Sequence, residues 1–410
     1  MRAAKLSPSI SHTGATMTTN AVQHDVISDI RAFHALAPEW DALWRRAGGQ
    51  HFQSFAFCAS SPDAQAKLAG RKLQCLAGRR QGRLVVLWPL MTCRKACWRF
   101  MRPLGPDNNS PHDILVEPGP DAAAIVAGAW HALLARARPD LVYLPRLRNG
   151  SLLHRCASDT GRVAFCLDEI TPMAHMRELS GWADFCRSRV GRARNPPDYL
   201  QRRLAGQGRV DAMMIDHNDS RAAIFVDWLL LHKRRWAERG EVDSAWLFSD
   251  DSRAFLMRLM AAEDDPAGQA ARPFRLAVLT LDGVTLAVNL LAVQNQCVDL
   301  LMNTYDAAYG KLSPGTALID WCVKWAFDQH FDFNFGSGTQ QYKQYWSNGA
   351  AYTTASLHVA PTQWGLAGYR LHQGARWARA RLARLRGRGA EAEHGAAVPA
   401  ARPGTAGEAV

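Results

Sequence analysis

Apolar residues in this chain recur with two periods, and the changes between them mark out its elements. HDVISDIRAF (24–33) reads as a first strand. APEWDALWRRA (37–47) then sets Trp40, Leu43 and Trp44 at the spacing of one helix face. FQSFAFCASSP (52–62) continues as an aromatic-rich helix or turn. KLQCLAGRR (72–80) and RLVVLWPLMTC (83–93) flank Gln81-Gly82, a two-residue connection that predicts a β-hairpin. WRFMRPL (98–104) is extended, and the polar loop GPDNNSPHD leads to ILVEPGP, the helix DAAAIVAGAWHALLARA (121–137) and the strand DLVYLPRL (140–147).

The second half repeats this order. RPFRLAVLTLDGVTLAVNLLAV (272–293) predicts a hairpin turning at Asp282-Gly283, and QCVDLLMNTYD (296–306) is the next strand. The loop AAYGKL, Ser313-Pro314-Gly315, the helix TALIDWCVKWAFDQH (316–330) and the strand FDFNFGS (331–337) complete the unit. The sequence therefore predicts a mixed α/β protein of two similar lobes, residues 25–180 and 181–365, made by duplicating one α/β unit. Residues 173–240 between them read as helical, with WADFCRSRV and AAIFVDWLLLHKRRWAER as the clearest segments. Pro196-Pro197 must interrupt any helix there, since neither proline has an amide to donate. Residues 1–24 and the Ala/Gly/Pro-rich stretch beyond about 387 are expected to be disordered, and 366–410 to form a basic helix and tail.

At 410 residues with 48% hydrophobic content, the chain can bury a core in each half. No apolar run reaches the roughly 18 residues that cross a bilayer, and the N-terminus lacks the apolar core of a secretory signal, so a cytoplasmic protein is expected. The nine cysteines are scattered without paired CxxC blocks, which reads as reduced core thiols and no metal site. The net charge of +12 concentrates at 187–209 and 370–388. Such patches suit an anionic cofactor, RNA, a sugar phosphate or an acidic membrane as well as DNA, which is not expected as a partner. Segment 364–386 can lie on an anionic membrane, at the inner face, through Trp364, Leu371, Trp377, Leu382 and Leu385, or pack on the second lobe as a plain C-terminal helix.

Two stretches could carry chemistry. In NTYDAAYGKLSPGTA (303–317) a strand hands over to a helix. Ser313 suits the N-cap, Pro314 the first helical position, and Gly315 leaves open backbone amides that can hold an anion; otherwise Ser-Pro-Gly simply starts a helix. In FDFNFGSGTQQYKQYW (331–346) Gly336 and Gly338 permit close approach of a ligand, Lys343 could neutralise a phosphate or anionic intermediate, and Tyr342 or Tyr345 could give a proton to a thiolate. The plainer reading is a turn with a snorkelling lysine and core aromatics.

Taken together, Trp40 to Leu43 with the following FQS, Trp88-Pro89-Leu90, Tyr305-Asp306, Tyr309, Ser313-Pro314-Gly315, and Gly338 with Tyr342-Lys343 and Trp346 resemble the CelD-like acetyltransferases, relatives of the FemAB proteins built from two GNAT lobes. The resemblance spans roughly residues 25 to 360. It implies a tandem GNAT fold and transfer of an acyl group from acetyl-CoA or another acyl-CoA to an amine acceptor, sugar-linked acceptors of polysaccharide or cell-envelope synthesis included. It further implies cofactor contacts at Thr304, Tyr305, Ser313, Gly315, Thr316, Gly336 and Gly338, and catalytic roles for Asp306, Tyr342 and Lys343. Only Glu117-Pro118-Gly119-Pro120 precedes the first lobe's helix, so one active site is expected. The chain departs from the family at Asn334, Thr339 and Gln340, where acidic residues are usual. Those departures leave open a non-catalytic accessory protein of polysaccharide production, and the basic charge leaves open a FemAB-like transferase using aminoacyl-tRNA.

Overall fold

The computed structural model describes residues 21–61, 70–106, 110–189, 198–240, 244–261 and 272–393. Thirteen strands form one sheet. The first lobe supplies β1 (Gln23–Ile27), β2 (Arg71–Arg80), β3 (Arg83–Lys95), β4 (Trp98–Pro103), β5 (Leu115–Val116), β6 (Leu141–Arg148) and β7 (Val163–Ala174). The second supplies β8 (Val210–Ile215), β9 (Phe274–Leu281), β10 (Val284–Gln294), β11 (Cys297–Tyr305), β12 (Asp332–Asn334) and β13 (Ala351–Val359). Their spatial order is β1-β2-β3-β4-β6-β13-β7-β12-β11-β10-β9-β8, with β5 beside β3.

This order reads the same from both ends. β1 corresponds to β8, β2–β3 to the β9–β10 hairpin, β4 to β11, and β6 to β12. Both β4·β6 and β11·β12 are parallel, while the other pairs are antiparallel. Two lobes of mixed sheet flanked by helices are thus present, and the repeat read in the sequence has a counterpart in the topology. The centre of the sheet holds an exchange. The last strand of each lobe, β7 or β13, pairs with the other lobe's sheet: β7 joins β12, β13 joins β6, and the two pair with each other from Val163 to Pro172. A linear division near residue 180 therefore leaves β13 in the first lobe's half of the sheet.

Both hairpins turn where expected. Gln81 and Gly82, and Asp282 and Gly283, all have positive φ, the geometry a two-residue connection needs to match the strands' twist. Other expectations need correction. The stretch 24–33 is strand only to Ile27, because Asp29 accepts from the Ala32 amide and starts the helix Ile30–Ala35. Residues 173–240 are not wholly helical: Met173 and Ala174 close β7, and β8 pairs with β9 as a short edge strand whose residues are mostly half-buried. The strand at 331–337 is confined to Asp332–Asn334, the loop Ala307–Leu312 is a 3₁₀ turn, and backbone helix continues through 387 to Glu393. Pro196-Pro197, residues 1–20 and residues 394–410 lie outside the described residues.

The lobes also share a core. Phe33, Trp40 and Phe57 pack in one cluster with Phe225, Phe255 and Phe274 from the other half, and the Trp40 indole donates to the Gln53 carbonyl at 2.7 Å. A second pin is electrostatic. Asp332, buried at the start of β12, accepts from the amides of Met176 (2.7 Å) and Arg177 (3.1 Å) just past β7, so it fastens the exchanged strand. Removing that carboxylate strands two amides. Asp332→Ala should lower stability by about 2–3 kcal/mol, read as a shift in the urea midpoint, with Asp332→Asn in between. A chain ending at residue 349 lacks β13 and bares the facing edges of β6 and β7. It should be recovered as aggregate, and a soluble monomer from that truncation would show that the exchange is dispensable.

Candidate active site

The site begins where β11 and β12 part. Their parallel pairing covers only Cys297–Asp332, Val298–Phe333 and Asp299–Asn334, whereas β11 runs on along β10 to Tyr305. Beyond Asp299, one edge of β11 therefore has no strand partner among the described residues. Gly336 makes the parting possible: its φ is +70°, its amide bonds Asn334 Oδ1 at 3.0 Å, and a Cβ there would sit 3.5 Å from the Leu300 carbonyl. The alternation of an antiparallel ladder decides which groups face the gap. Asp306 gives its amide to the Leu286 carbonyl, so Thr304 also faces β10, and the amides and carbonyls of Asn303 and Tyr305 point to the open edge.

Beyond the end of β11 the chain makes the 3₁₀ turn Ala307–Leu312 and enters the helix Pro314–Asp328. Thr304, Tyr305, Asp306, Ser313, Gly315 and Thr316 are thereby gathered at one place. Ser313 does not cap as its residue type suggests: it is in the left-handed region (φ 55°) and its side chain makes no cap hydrogen bond. The first-turn amides of Gly315 and Thr316 are left without that partner. Gly315 is buried under the Tyr305 ring, where a Cβ would come within 2.9 Å of Cδ1. The half-exposed Tyr305 ring and the helix start form one surface.

Asp306 is already employed. Its Oδ1 accepts from the Ala308 amide at 3.0 Å and lies 3.9 Å from Nδ1 of His232. His232, on the helix Ala222–Arg239, is buried and stacked on Trp228 with ring centroids 4.0 Å apart. Burial pushes its pKa below the ordinary imidazole range; the Asp306 charge pulls it up, and Arg235 and Arg239 push it down. The next residue, Lys233, gives its ammonium to the Asn303 carbonyl at 3.3 Å and lies over the Trp236 ring. Burial, with the charge of Lys343, lowers its pKa to about 8.

The other wall holds Gly336, Gly338, Tyr342 and Lys343. Gly338 has a φ of +117°, and the turn folds back so that Lys343, buried on the helix Gln341–Ser347, donates to the carbonyls of Ser337 (2.6 Å) and Gly336 (3.5 Å). Burial and Arg146 lower its pKa to about 8. Arg146 belongs to β6 and is paired with Glu169 of β7 at 2.9 Å. The Lys343 ammonium lies over the Tyr342 ring, 6.0 Å from its centroid, and that ring also meets Phe335 edge to face beside the second-lobe core; burial raises the Tyr342 pKa, which makes it a weaker acid than a free phenol. Tyr345 and Trp346 are core residues, and the Trp346 indole donates to Asp320 at 2.9 Å.

Where an acid was expected at 334, the structure has an amide beside an acid. Asn334 Nδ2 donates to Asp299 Oδ1 (2.7 Å) and to the Tyr352 hydroxyl (3.0 Å), while His51 Nδ1 and Gln294 hold Asp299 Oδ2. An Asp at 334 would set a second carboxylate against buried Asp299. Asp299, His51, His232, Lys233 and Arg146 were not singled out in the sequence. Only His232-Lys233, at one edge of an apolar helical run, carried a hint of a polar face turned inward.

The first lobe's matching helix, Ala122–Ala137, starts beside a cavity of about 380 Å³ lined by Arg46, Arg80, Arg83, Glu117 and Asp121. Glu117 takes Arg46 (3.0 Å) and Arg83 (2.8 Å), and Asp121 takes Arg80. The chain's own carboxylates thus occupy the position an anion would take there.

Residues 192–344 match the acetyltransferase (GNAT) domain family. No curated protein matches the chain. Among solved structures, FemX superposes with a TM-score of 0.52 at 12% identity, covering 82% of this chain and 96% of its own. The tandem GNAT protein from the clavulanic acid biosynthesis pathway gives 0.45 at 11% identity, covering 84% of this chain and 100% of its own. L-PGS from Bacillus licheniformis gives 0.45 at 12%, covering 79% of this chain and 92% of its own. The second lobe is therefore similar to the GNAT acetyltransferase domain, and the chain as a whole has the fold seen in FemX.

Proposed function

We propose that this chain is an N-acyltransferase of the CelD-like kind, which takes an acyl group from acetyl-CoA or a related acyl-CoA in the second lobe and passes it to an amine acceptor, such as an amino sugar, in the space between the lobes. The observation that carries the reading is the open edge of β11 beside an uncapped helix start. An extended, amide-bearing donor can pair with the Asn303 amide and with the Tyr305 backbone on that edge, the Asn303 carbonyl being held by Lys233, while its pyrophosphate meets the amides of Gly315 and Thr316. The first lobe's equivalent place is filled by Glu117 and Asp121, so one donor is expected per chain.

In the reaction the amine lone pair attacks the thioester carbonyl carbon, the carbonyl oxygen takes up negative charge, and collapse breaks the C–S bond. The Tyr305 amide faces the edge where that oxygen would lie and can stabilise it. His232, kept neutral by burial, can take the amine's proton, and Asp306 acts through it as a positioning residue. The leaving thiolate needs a proton from an acid of similar pKa. Lys343 and Lys233, both near 8, match a thiol of about 8.5 better than Tyr342 does. Thr339 and Gln340 need not be acidic for this scheme.

Calorimetric titration of the full chain with acetyl-CoA and longer acyl-CoAs should show saturable binding at one site. Gly315→Trp, whose side chain must displace Tyr305 and cover the helix start, should abolish it while the circular dichroism stays unchanged. If no acyl-CoA binds, the accessory or aminoacyl-tRNA reading takes its place. With an acceptor in hand, His232→Gln should lower kcat by about 10²–10⁴-fold with little change in donor KM. The rate should fall as pH drops through the depressed pKa of His232, because protonation removes the base. Asp306→Asn removes the charge that holds that pKa up, so the acid limb should move to lower pH; an unmoved limb would rule His232 out as the base.

A further inference from the structure

The helix Gln363–Glu393 spans 31 residues, about 46 Å of rise, yet only its first two turns dock on the body. Gly365 and Gly368 allow the approach: a Cβ at Gly365 would collide with the Asp140 carbonyl, and one at Gly368 with the Trp98 ring. Tyr369 is buried beside Leu141 and Ala360, and Trp364 stacks on Trp98 at 5.3 Å. The docking surface is the first lobe's β4 and β6 together with the neighbouring end of β13, where the Tyr369 ring lies 5.2 Å from His358. Past Tyr369, among the described side chains, Leu371 is 63% and Trp377 64% exposed.

The sequence of this segment has the composition of a helix that lies on lipid. Leu371, Ala375 and Ala378 recur on one side of it and are all apolar, and Trp377 stands about a third of a turn away. Seven arginines fall between 370 and 388, and no acidic residue occurs from 363 to 390. Arg381 lies over the Trp377 ring at 5.2 Å. The patch also continues onto the sheet. β7 exposes Phe165 (42%) and Leu167 (51%), and the Phe165 ring stands 6.4 Å from Tyr369. Lys95 flanks Phe100 close by. No helix among the described residues is long and apolar enough to cross a membrane.

We propose that this face, the outer part of the 363–393 helix with Phe165 and Leu167 of β7, docks on an anionic lipid surface. Arginines would meet the headgroups while Leu371, Trp377, Phe165 and Leu167 enter the boundary of the acyl chains. Charge complementarity favours lipid over a second copy of this chain, since two such helices would bring fourteen arginines together. Exposed leucines and phenylalanines favour it over RNA, whose phosphates offer no apolar layer. The inference is independent of the donor and acceptor proposed above.

The test is sedimentation of the full chain with phosphatidylcholine vesicles, with and without phosphatidylglycerol. Binding should require phosphatidylglycerol and fall as salt is raised. Leu371→Glu with Trp377→Glu should reduce it at least tenfold, and Arg379→Glu with Arg381→Glu should do the same. The melting temperature should be unchanged in both pairs, since these side chains are exposed. Failure of the folded wild type to bind, equal binding to neutral vesicles, or binding that survives both pairs of substitutions would overturn the proposal. So would lipid-free self-association that the same substitutions abolish.

Discussion

A strand's unpaired carbonyls and amides are tolerated at a sheet edge facing water but not in the middle of a protein, and the rest of this structure depends on how that demand is met at its centre. Each lobe, left alone, would end in an open edge at β6 or β12. Each edge is covered by the last strand of the other lobe, and the two covering strands pair along ten residues of backbone from Val163 to Pro172. Neither half can therefore complete its sheet without the other. The mixed aromatic cluster of Phe33, Trp40 and Phe57 with Phe225, Phe255 and Phe274 adds side-chain packing to the same union.

The exchange is unequal, and the inequality leaves an open strand edge. β13 pairs with β6 from Val142 to Arg148, while β7 meets β12 only at Met173 and Ala174. The short contact follows from the short strand: Gly336 turns the chain away after Asn334, and the helix carrying Lys343 begins soon after. That turn frees the edge of β11 and brings Lys343 within electrostatic reach of both Lys233 and Arg146. In the first lobe Glu117 and Asp121 satisfy the arginines at the matching helix start. The two lobes thus repeat one topology with differently surrounded helix starts.

Much of this was legible from residue patterns. The hairpins at Gln81-Gly82 and Asp282-Gly283 combine turn chemistry with apolar strands, both local signals, and the repeat that contains them survives as the palindromic order of the sheet. The Ser-Pro-Gly helix start and the glycines at 336 and 338 were equally local. What escaped was set by distant partners. β7 is exposed on both faces from Phe165 to Asp168 and β13 is buried on both from Thr354 to Leu357, so neither shows the alternation of a half-buried strand. His51 and Asp299 lie 248 positions apart and meet only through the shared core. His232 and Lys233 sit in an apolar helical run, where sequence alone cannot tell a solvated end from a buried polar contact.

Asn334 shows how a departure from a family pattern can be a relocation of charge. An amide at that position can donate to Asp299 and Tyr352 while its carbonyl oxygen accepts the Gly336 amide, three bonds that fix the point where β11 and β12 separate. A carboxylate could accept the last of these but could donate neither of the others, and it would face Asp299 across 2.7 Å in a buried setting. The acid on β11 and the amide on β12 therefore complement each other, and two charged carboxylates at these positions would repel across the same contact. Counting carboxylates along the sequence suggests a depleted site, but the geometry keeps one buried carboxylate at the junction, held by His51, Gln294 and Asn334. Asn334, Thr339 and Gln340 all lie outside β11, so none of the three departures removes a backbone group from its open edge.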